Sequence, residues 1–395
     1  MRKNNAALLL RLLWTDGPLS RAELARRTGM SASTASDIIN ELRERELIDE
    51  QGTGASSGGR RPIMLGVRDE RVHTLGVEIG ATHITGVVTS FRGEVLCSRR
   101  VDAPTRSDAQ ATLEILFDLM EWCLDQPGVD RRALLGVGVA VPCPVDPADP
   151  GKLSRRILPN WAEVDLAALV SERYARPVHI ENDANAGALA ESWFGAHEDA
   201  RDLAYVKVAT GVGAGFIIDG RLYRGSGGTA GEIGHVLVDP RGEPCSCGSR
   251  GCLVTLIGTN SILARARDQV RTRDGSPADT IHDVVEATLD GDVTALGLVE
   301  EVGTHLGTAL AGLLNLLNPR VVVLGGELTA LRDLLLDPLR VSLRRQALFS
   351  SVARTQLLTS RLGPDSIAVG AAVNVLDAAL KDLDLFPTLR TTGAA

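Results

Sequence analysis

Residues 228–252 read Gly-Thr-Ala-Gly-Glu-Ile-Gly-His-Val-Leu-Val-Asp-Pro-Arg-Gly-Glu-Pro-Cys-Ser-Cys-Gly-Ser-Arg-Gly-Cys, with three of the chain's six cysteines inside the last eight positions. His235, Cys245, Cys247 and Cys252 form a three-thiolate, one-imidazole set, which is what a closed tetrahedral zinc site requires. Gly248 and Gly251 let the backbone turn tightly enough to bring closely spaced sulfurs onto one ion. Free thiols or a disulfide are the other uses of such residues. Cys245 and Cys247 are too close for an ordinary bridge, and the Leu-rich N-terminus is too short and mixed for a secretory signal. The expectation is therefore a structural zinc ion bound by residues 235–252 in a reduced, cytoplasmic chain.

The 395 residues suffice for two or three domains, and no apolar run reaches the length of a membrane span. Charge divides the chain further. Residues 1–70 carry a net +1 and the remainder a net −9. The acidic bulk would be repelled by nucleic acid, so any DNA contact must come from a local patch.

The first 70 residues read as a winged helix-turn-helix domain. Asn5–Leu13 is Ala/Leu-rich and helical, and Asp16-Gly-Pro18 stops it. Ser20-Arg-Ala-Glu23 has the pattern of a capping box and opens a helix to Thr28. Gly29 permits a tight turn, and Ser31 can cap a second helix, Ala32–Glu44. That helix has Ala35, Ile38, Ile39 and Leu42 on one face and Ser33, Thr34, Ser36, Asp37 and Asn40 on the other. A second helix with a small polar face is the shape that enters a major groove. Ser33, Thr34, Ser36 and Asn40 are the candidate DNA contacts. Asp37, Glu41 and Glu44 must point away from phosphates, unless one accepts from a cytosine amine. Leu47–Glu50 and Arg60–Val67 read as the two strands of a wing, with Arg60 and Arg61 placed to reach a phosphate or a minor groove. A small helical interaction domain whose Ser and Thr residues are only caps is the alternative.

From about residue 71 strands and helices alternate. Val72–Ile79, Ile84–Thr89 and Glu94–Val101 read as strands, Asp108–Leu124 as a helix and Leu134–Val141 as a strand. Helix Leu166–Tyr174 and strand Val178–Ile180 follow. A similar order recurs with the strand Leu203–Ala209, a turn Thr210–Gly215, the strand Phe216–Ile218, helix Glu300–Leu317, strand Arg320–Leu324 and helix Ile367–Leu380. Hairpins with Gly-Thr or Thr-Gly turns, used twice, predict a duplicated α/β fold of two lobes with a cleft. The expected boundaries are 1–70 for the DNA-binding domain, 71–183 for the first lobe and 184–395 for the second. The exposed backbone N–H groups of such turns suit phosphate.

With these residues the chain resembles the ROK family, which groups bacterial sugar kinases with sugar-responsive repressors on an actin/hexokinase-like (duplicated RNase H-like) fold. The cysteine–histidine motif matches at all four positions. The winged helix with Gly58-Gly-Arg-Arg-Pro62 resembles the repressor branch. The resemblance implies a homodimer or homotetramer on a palindromic double-stranded DNA operator, with a sugar or sugar-phosphate effector. It places Asn160, Asn182, Asp183, Glu232 and His235 at the effector, His235 serving the metal as well. Asn182 also suits a helix N-cap, and the two roles are compatible. In the family's kinases the residue matching Asp183 is the general base on the sugar hydroxyl. Gly80, Thr82, Thr210, Gly211 and Gly213 match phosphate-loop positions.

Three departures oppose catalysis. The first phosphate loop, Asp-x-Gly-Gly-Thr in the kinases, is Glu78-Ile-Gly80-Ala81-Thr82 here. Val254 stands where the family's motif usually carries a sugar-binding Glu. Glu327 follows Gly325-Gly326, where a carboxylate would repel a triphosphate. The expectation is thus a sequence-specific regulator, a repressor of carbohydrate-related genes. The alternative is an ATP- and Mg²⁺-dependent sugar kinase with an appended DNA-binding domain. A scaffold protein whose metal loop docks a partner is the third reading.

Overall fold

A computed structural model of the chain describes residues 2–55, 61–195 and 200–387. Helix α1 (Arg2–Asp16) buries Ala6, Leu9, Leu10 and Leu13, one stripe at the helical period. After Gly17, in the left-handed region at φ 79°, come β1 (Leu19–Ser20) and α2 (Arg21–Thr28). Ser20 Oγ accepts from the Glu23 N–H at 3.2 Å, half of the expected capping box. The other half does not form. The Glu23 carboxylate instead accepts from Arg26 and Arg27, each at 2.6 Å. Two guanidinium groups one turn ahead outcompete a single neutral amide. Ser20→Ala should still lower stability by about 1 kcal/mol, readable in urea denaturation followed by circular dichroism.

Gly29, at φ 69°, closes α2, and Ser31 caps α3 (Ala32–Glu44), whose buried face is Ala35, Ile38, Ile39 and Leu42. Strands β2 (Ile48–Thr53) and β3 (Ile63–Val67) complete a three-stranded sheet in the order β1-β3-β2. The returning strand begins at Ile63, later than expected. Arg61 is exposed on its approach, and Arg60 lies outside the described residues.

The chain divides into two compact units. One comprises residues 1–141, 150–181 and 371–395, the other 142–149 and 182–370. The winged helix belongs to the first. The Trp14 indole N–H donates to Phe91 O at 2.6 Å, Arg92 Nη1 to Trp14 O at 3.1 Å, and Arg45 Nη1 to Leu383 O at 3.0 Å.

The first unit's main sheet contains β4 (His73–Ile79), β5 (His83–Thr89), β6 (Val95–Asp102), β7 (Leu134–Val141) and β8 (Val178–Asn182). Their order is β6-β5-β4-β7-β8. A meander of three antiparallel strands is followed by helix α4 (Ala109–Leu124), which returns the chain to place β7 parallel to β4. Every residue of β4 and β7 is buried, as expected for central strands covered on both faces. Helix α5 (Leu166–Tyr174) precedes β8.

The second unit opens on α6 (Asp183–Phe194) and repeats the plan with β9 (Leu203–Val208), β10 (Val212–Ile218), β11 (Arg221–Tyr223), β12 (Val321–Gly325) and β13 (Gln356–Thr359). The order β11-β10-β9-β12-β13 is the same as in the first sheet, and β12 lies parallel to β9. Between β11 and β12 run α7 (Leu253–Ile257), α8 (Thr259–Ala266), α9 (Ile281–Leu289) and α10 (Val293–Leu317), which bury one continuous apolar core. Helices α11 (Asp333–Gln346), α12 (Phe349–Arg354) and α13 (Ser366–Ala379) complete the fold. The turn expected over Thr210–Gly215 is shorter, because β10 begins at Val212 and its glycines pair across the sheet with β9. No helix among the described residues is long and apolar enough to cross a membrane.

Candidate metal centre and ligand site

The candidate metal-binding cluster is assembled beside β10. Residues 228–235 descend along that strand, and the Ala214 N–H donates to Gly231 O at 2.7 Å. Gly231, at φ 95°, has no room for a side chain, since a Cβ there would lie 1.7 Å from Ala214 O. The segment ends in a single 3-10 turn, Ile233–His235. The chain then folds back on itself. The N–H of Val238 donates to Gly251 O, that of Leu253 to Val236 O, and that of Cys245 to Ser249 O. Gly251, at φ 64°, passes so close to Asp239 that a Cβ would meet its carbonyl oxygen at 1.5 Å. The two glycine constraints bring Cys252 beneath His235.

The donor atoms of His235, Cys245, Cys247 and Cys252 all lie within 4.8 Å of one another. Cys247 Sγ is 3.7 Å from Cys252 Sγ, and Cys245 Sγ is 3.4 Å from His235 Nδ1. Two thiolates at ~2.3 Å from a tetrahedral ion stand roughly 3.8 Å apart, so both edges have the right length. Burial, then Cys247 and Cys245, push the Cys252 thiol up to about 12. Three thiols so crowded are the chemistry of a cation-binding set.

One imidazole nitrogen faces the cysteines and the other faces away. His235 Nε2 stands 3.8 Å from Glu232 Oε2. Burial raises the Glu232 carboxyl above its usual range, and the Asp183 charge adds to the rise. Asp183 is the first residue of α6. Its Oδ1 accepts from the Ala184 N–H at 2.7 Å and from Asn182 Nδ2 at 3.2 Å, while its Oδ2 accepts from Lys207 Nζ at 2.7 Å. Asn182 is the N-cap of α6, its Oδ1 accepting from Ala184 and Asn185, and its amide also donates to Cys143 O at 3.2 Å. The second unit thus gathers an amide, two carboxylates and an imidazole, groups that match the hydroxyls of a polyol.

Lys207 did not emerge from the sequence as a site residue. Its signal was a single cation in the otherwise apolar strand Leu203-Ala-Tyr-Val-Lys-Val208. Its neighbours in register are Gly213 on β10 and Gly325 on β12, and the space beside Gly325 is taken by the Tyr205 ring and hydroxyl.

The remaining expected residues are distributed as follows. Asn160 belongs to the first unit, where its amide donates to Arg106 O and Ser107 O at 2.8 and 3.1 Å and braces that turn. Gly80 and Thr82 also lie in the first unit. The Gly80 N–H donates to His83 O, the His83 ring fills the space where a Gly80 Cβ would stand, and His83 Nε2 is 3.7 Å from the buried Glu78 carboxylate. Thr210, Gly211 and Gly213 lie in the second unit, on the β9–β10 hairpin, with open space beside Gly211. Val254 packs against the helical core rather than offering a polar group. On α3, Ser33, Thr34 and Asn40 are exposed and Ser36 is half-buried.

Comparison with known proteins agrees with this architecture. The profile of the ROK family matches residues 74–378, and that of winged helix-turn-helix DNA-binding domains matches residues 8–49. The chain is 32% identical over 377 residues to the xylose repressor of Bacillus subtilis (strain 168), covering 95% of this chain and 96% of that one. It is 33% identical over 393 residues to the DNA-binding transcriptional dual regulator NagC of Escherichia coli (strain K12), covering 97% and 95%. A solved ROK family transcriptional regulator, a homolog of the E. coli MLC protein, superposes with a TM-score of 0.82 at 27% identity, covering 96% of this chain and 97% of that one.

Proposed function

The chain belongs to the ROK family, and on that premise we propose that it is a sequence-specific DNA-binding repressor of carbohydrate genes whose operator affinity is set by a sugar. The observation that carries this reading is the joining, in one chain, of a winged helix-turn-helix to a ROK domain. A xylose repressor and a DNA-binding transcriptional dual regulator match 95% and 97% of the chain, both domains included.

Helix α3 enters the major groove, with Ser33, Thr34, Ser36 and Asn40 on the DNA side and Arg61 adding a wing contact. A dimer is the smallest assembly that offers two such helices to a two-fold operator. The ion at His235, Cys245, Cys247 and Cys252 is zinc, which suits three thiolates and an imidazole in a closed site. It supplies no chemistry beyond holding the loop and His235. Asn182, Asp183, Glu232 and His235 bind the effector, a sugar or sugar phosphate, through its hydroxyls. With Nδ1 on the metal, the Nε2–H points toward Glu232, so the ion fixes the tautomer of a ligand-binding group.

The kinase reading is disfavoured by Lys207. A general base must meet the hydroxyl it deprotonates, and the Lys207 ammonium at 2.7 Å occupies one of the two lone-pair sites of Asp183 Oδ2 and competes with a sugar hydroxyl for it. The ring of His83 against Gly80 obstructs the backbone approach that a phosphate needs.

Fluorescence anisotropy on the intergenic DNA beside the chain's own gene tests the proposal. Specific binding should appear at moderate salt and should change on addition of one member of a sugar panel. Zinc-loaded protein that binds this DNA no better than a scrambled duplex would overturn the reading. Turnover of ATP with a hexose, lost in Asp183→Ala, would replace it with the kinase.

A further inference from the structure

Arg21, the first residue of α2, reaches across the turn to α3. Its Nη2 donates to Asn40 Oδ1 at 3.2 Å and its Nη1 to Ser36 O at 3.5 Å. A guanidinium has donors and no acceptor, so the amide atom of Asn40 that faces it must be the oxygen. The Asn40 NH₂ group therefore points away from Arg21, on an exposed part of the helix. The hydroxyls at the start of α3 are turned toward one another instead. Ser31 Oγ is 2.9 Å from Ser33 Oγ and 2.8 Å from Thr34 Oγ1. Asn40 is thus the side chain of this face whose amide is oriented by a neighbouring element with its donors outward.

We infer that Arg21 sets a base preference of the operator by fixing which edge of the Asn40 amide meets the DNA. The inference rests on the DNA-binding reading above. An asparagine that presents both amide atoms pairs with adenine, accepting from N6 and donating to N7. Arg21 takes one lone pair of that oxygen and holds the amide with its NH₂ group outward, so the edge that Asn40 turns to the DNA carries its two N–H groups. The base edge that matches two donors is guanine, with acceptors at N7 and O6. Arg21 is a positioning residue: it acts on sequence readout through Asn40, without itself touching a base.

The experiment is selection of random duplex DNA by the full-length protein, comparing the unaltered chain with Arg21→Ala, Arg21→Lys, Asn40→Ala and Asn40→Asp, each checked by thermal melting. The unaltered chain should enrich guanine at one position of each half-site. Asn40→Ala should flatten that position and leave the others intact. Arg21→Ala should raise the adenine-to-guanine ratio there about tenfold, within the discrimination of one bidentate amide–base pair. Arg21→Lys retains a donor for the oxygen and should keep guanine. Asn40→Asp keeps the bond to Arg21 but presents an acceptor, so cytosine, with its N4 amine, should replace guanine. This variant tests the orientation even if Arg21→Ala does not fold. A folded Arg21→Ala with an unchanged preference, or one altered at a different position from Asn40→Ala, overturns the inference. If the unaltered chain enriches no sequence, the DNA-binding reading fails and the inference with it.

Discussion

Cys247→Ser is expected to strip the proposed zinc from the chain and to abolish sugar control of operator binding in the same step. A serine hydroxyl is a poor substitute for a thiolate, and the remaining three donors no longer close the coordination sphere. Little else holds the loop. Between Asp239 and Cys252 most side chains face solvent, and its order rests on a few backbone bonds, such as Gly251 N–H to Glu243 O. In metal-dependent peptides the ion contributes ~10–16 kcal/mol of apparent folding energy. Here the second unit has its own apolar core, so the loss should be a fraction of that, roughly 3–5 kcal/mol.

Three measurements check the result: metal content by atomic spectroscopy, differential scanning calorimetry, and operator binding with and without sugar. The transition of the second unit should fall while that of the first holds, because Leu9, Leu10, Leu13, Leu24, Ile38, Ile39 and Leu42 bury the core of the winged helix without the loop. Operator binding should persist and lose its dependence on sugar, since His235 is no longer fixed 3.8 Å from Glu232. A variant that loses zinc and keeps its full sugar response would show that the ion is only a staple.

The clustering of His235 with Cys245, Cys247 and Cys252 was legible in sequence because these residues are local. Three cysteines within eight residues state their own geometry, and the glycines between them state the turns. Strand Leu134–Val141 and helix Leu166–Tyr174 were legible to the residue for a related reason, since continuous apolar runs and capped helical stripes are patterns within one element. The duplicated fold showed in its repeated order, and the two sheets share one strand order, although the short edge strands β11 and β13 were not read from the sequence.

What stayed hidden depends on neighbours far along the chain or on competition between partners. Glu23 matched a capping box, and only the structure shows Arg26 and Arg27 taking its carboxylate. Helix α10 starts at Val293, earlier than the expected Glu300, because Asp292 caps it and tertiary packing overrides the weak helix propensity of Val, Thr and Gly in its first turns. The bond between Arg21 and Asn40 joins two helices, and the one between Lys207 and Asp183 joins a strand to a helix 24 residues away. No period or motif in the sequence announces either pair.

Lys207→Met should destabilise the second unit by about 3–5 kcal/mol, the usual consequence of removing one partner of a buried ion pair. Both side chains are only 13% exposed, so water cannot take the place of the lost ammonium. Asp183 keeps its bonds from Ala184 and Asn182 and sits at the N-terminus of α6, where the helix dipole favours an anion. These contacts hold the effect toward the lower end of the range. Asp183→Asn in the same background removes the stranded charge and should recover most of the loss. The double-mutant cycle therefore isolates the pair energy from the packing of the lysine stem.

The cycle also separates two roles for Asp183 in sugar binding. If its charge is what a sugar hydroxyl meets, Asp183→Asn alone weakens the sugar-induced melting shift. If its task is only to neutralise Lys207, the doubly substituted chain binds sugar as the unaltered one does. Chemical denaturation of the four proteins, followed by circular dichroism, reads the stability arm. A Lys207→Met chain as stable as the parent within about 0.5 kcal/mol would mean that Asp183 tolerates burial on its amide partners alone.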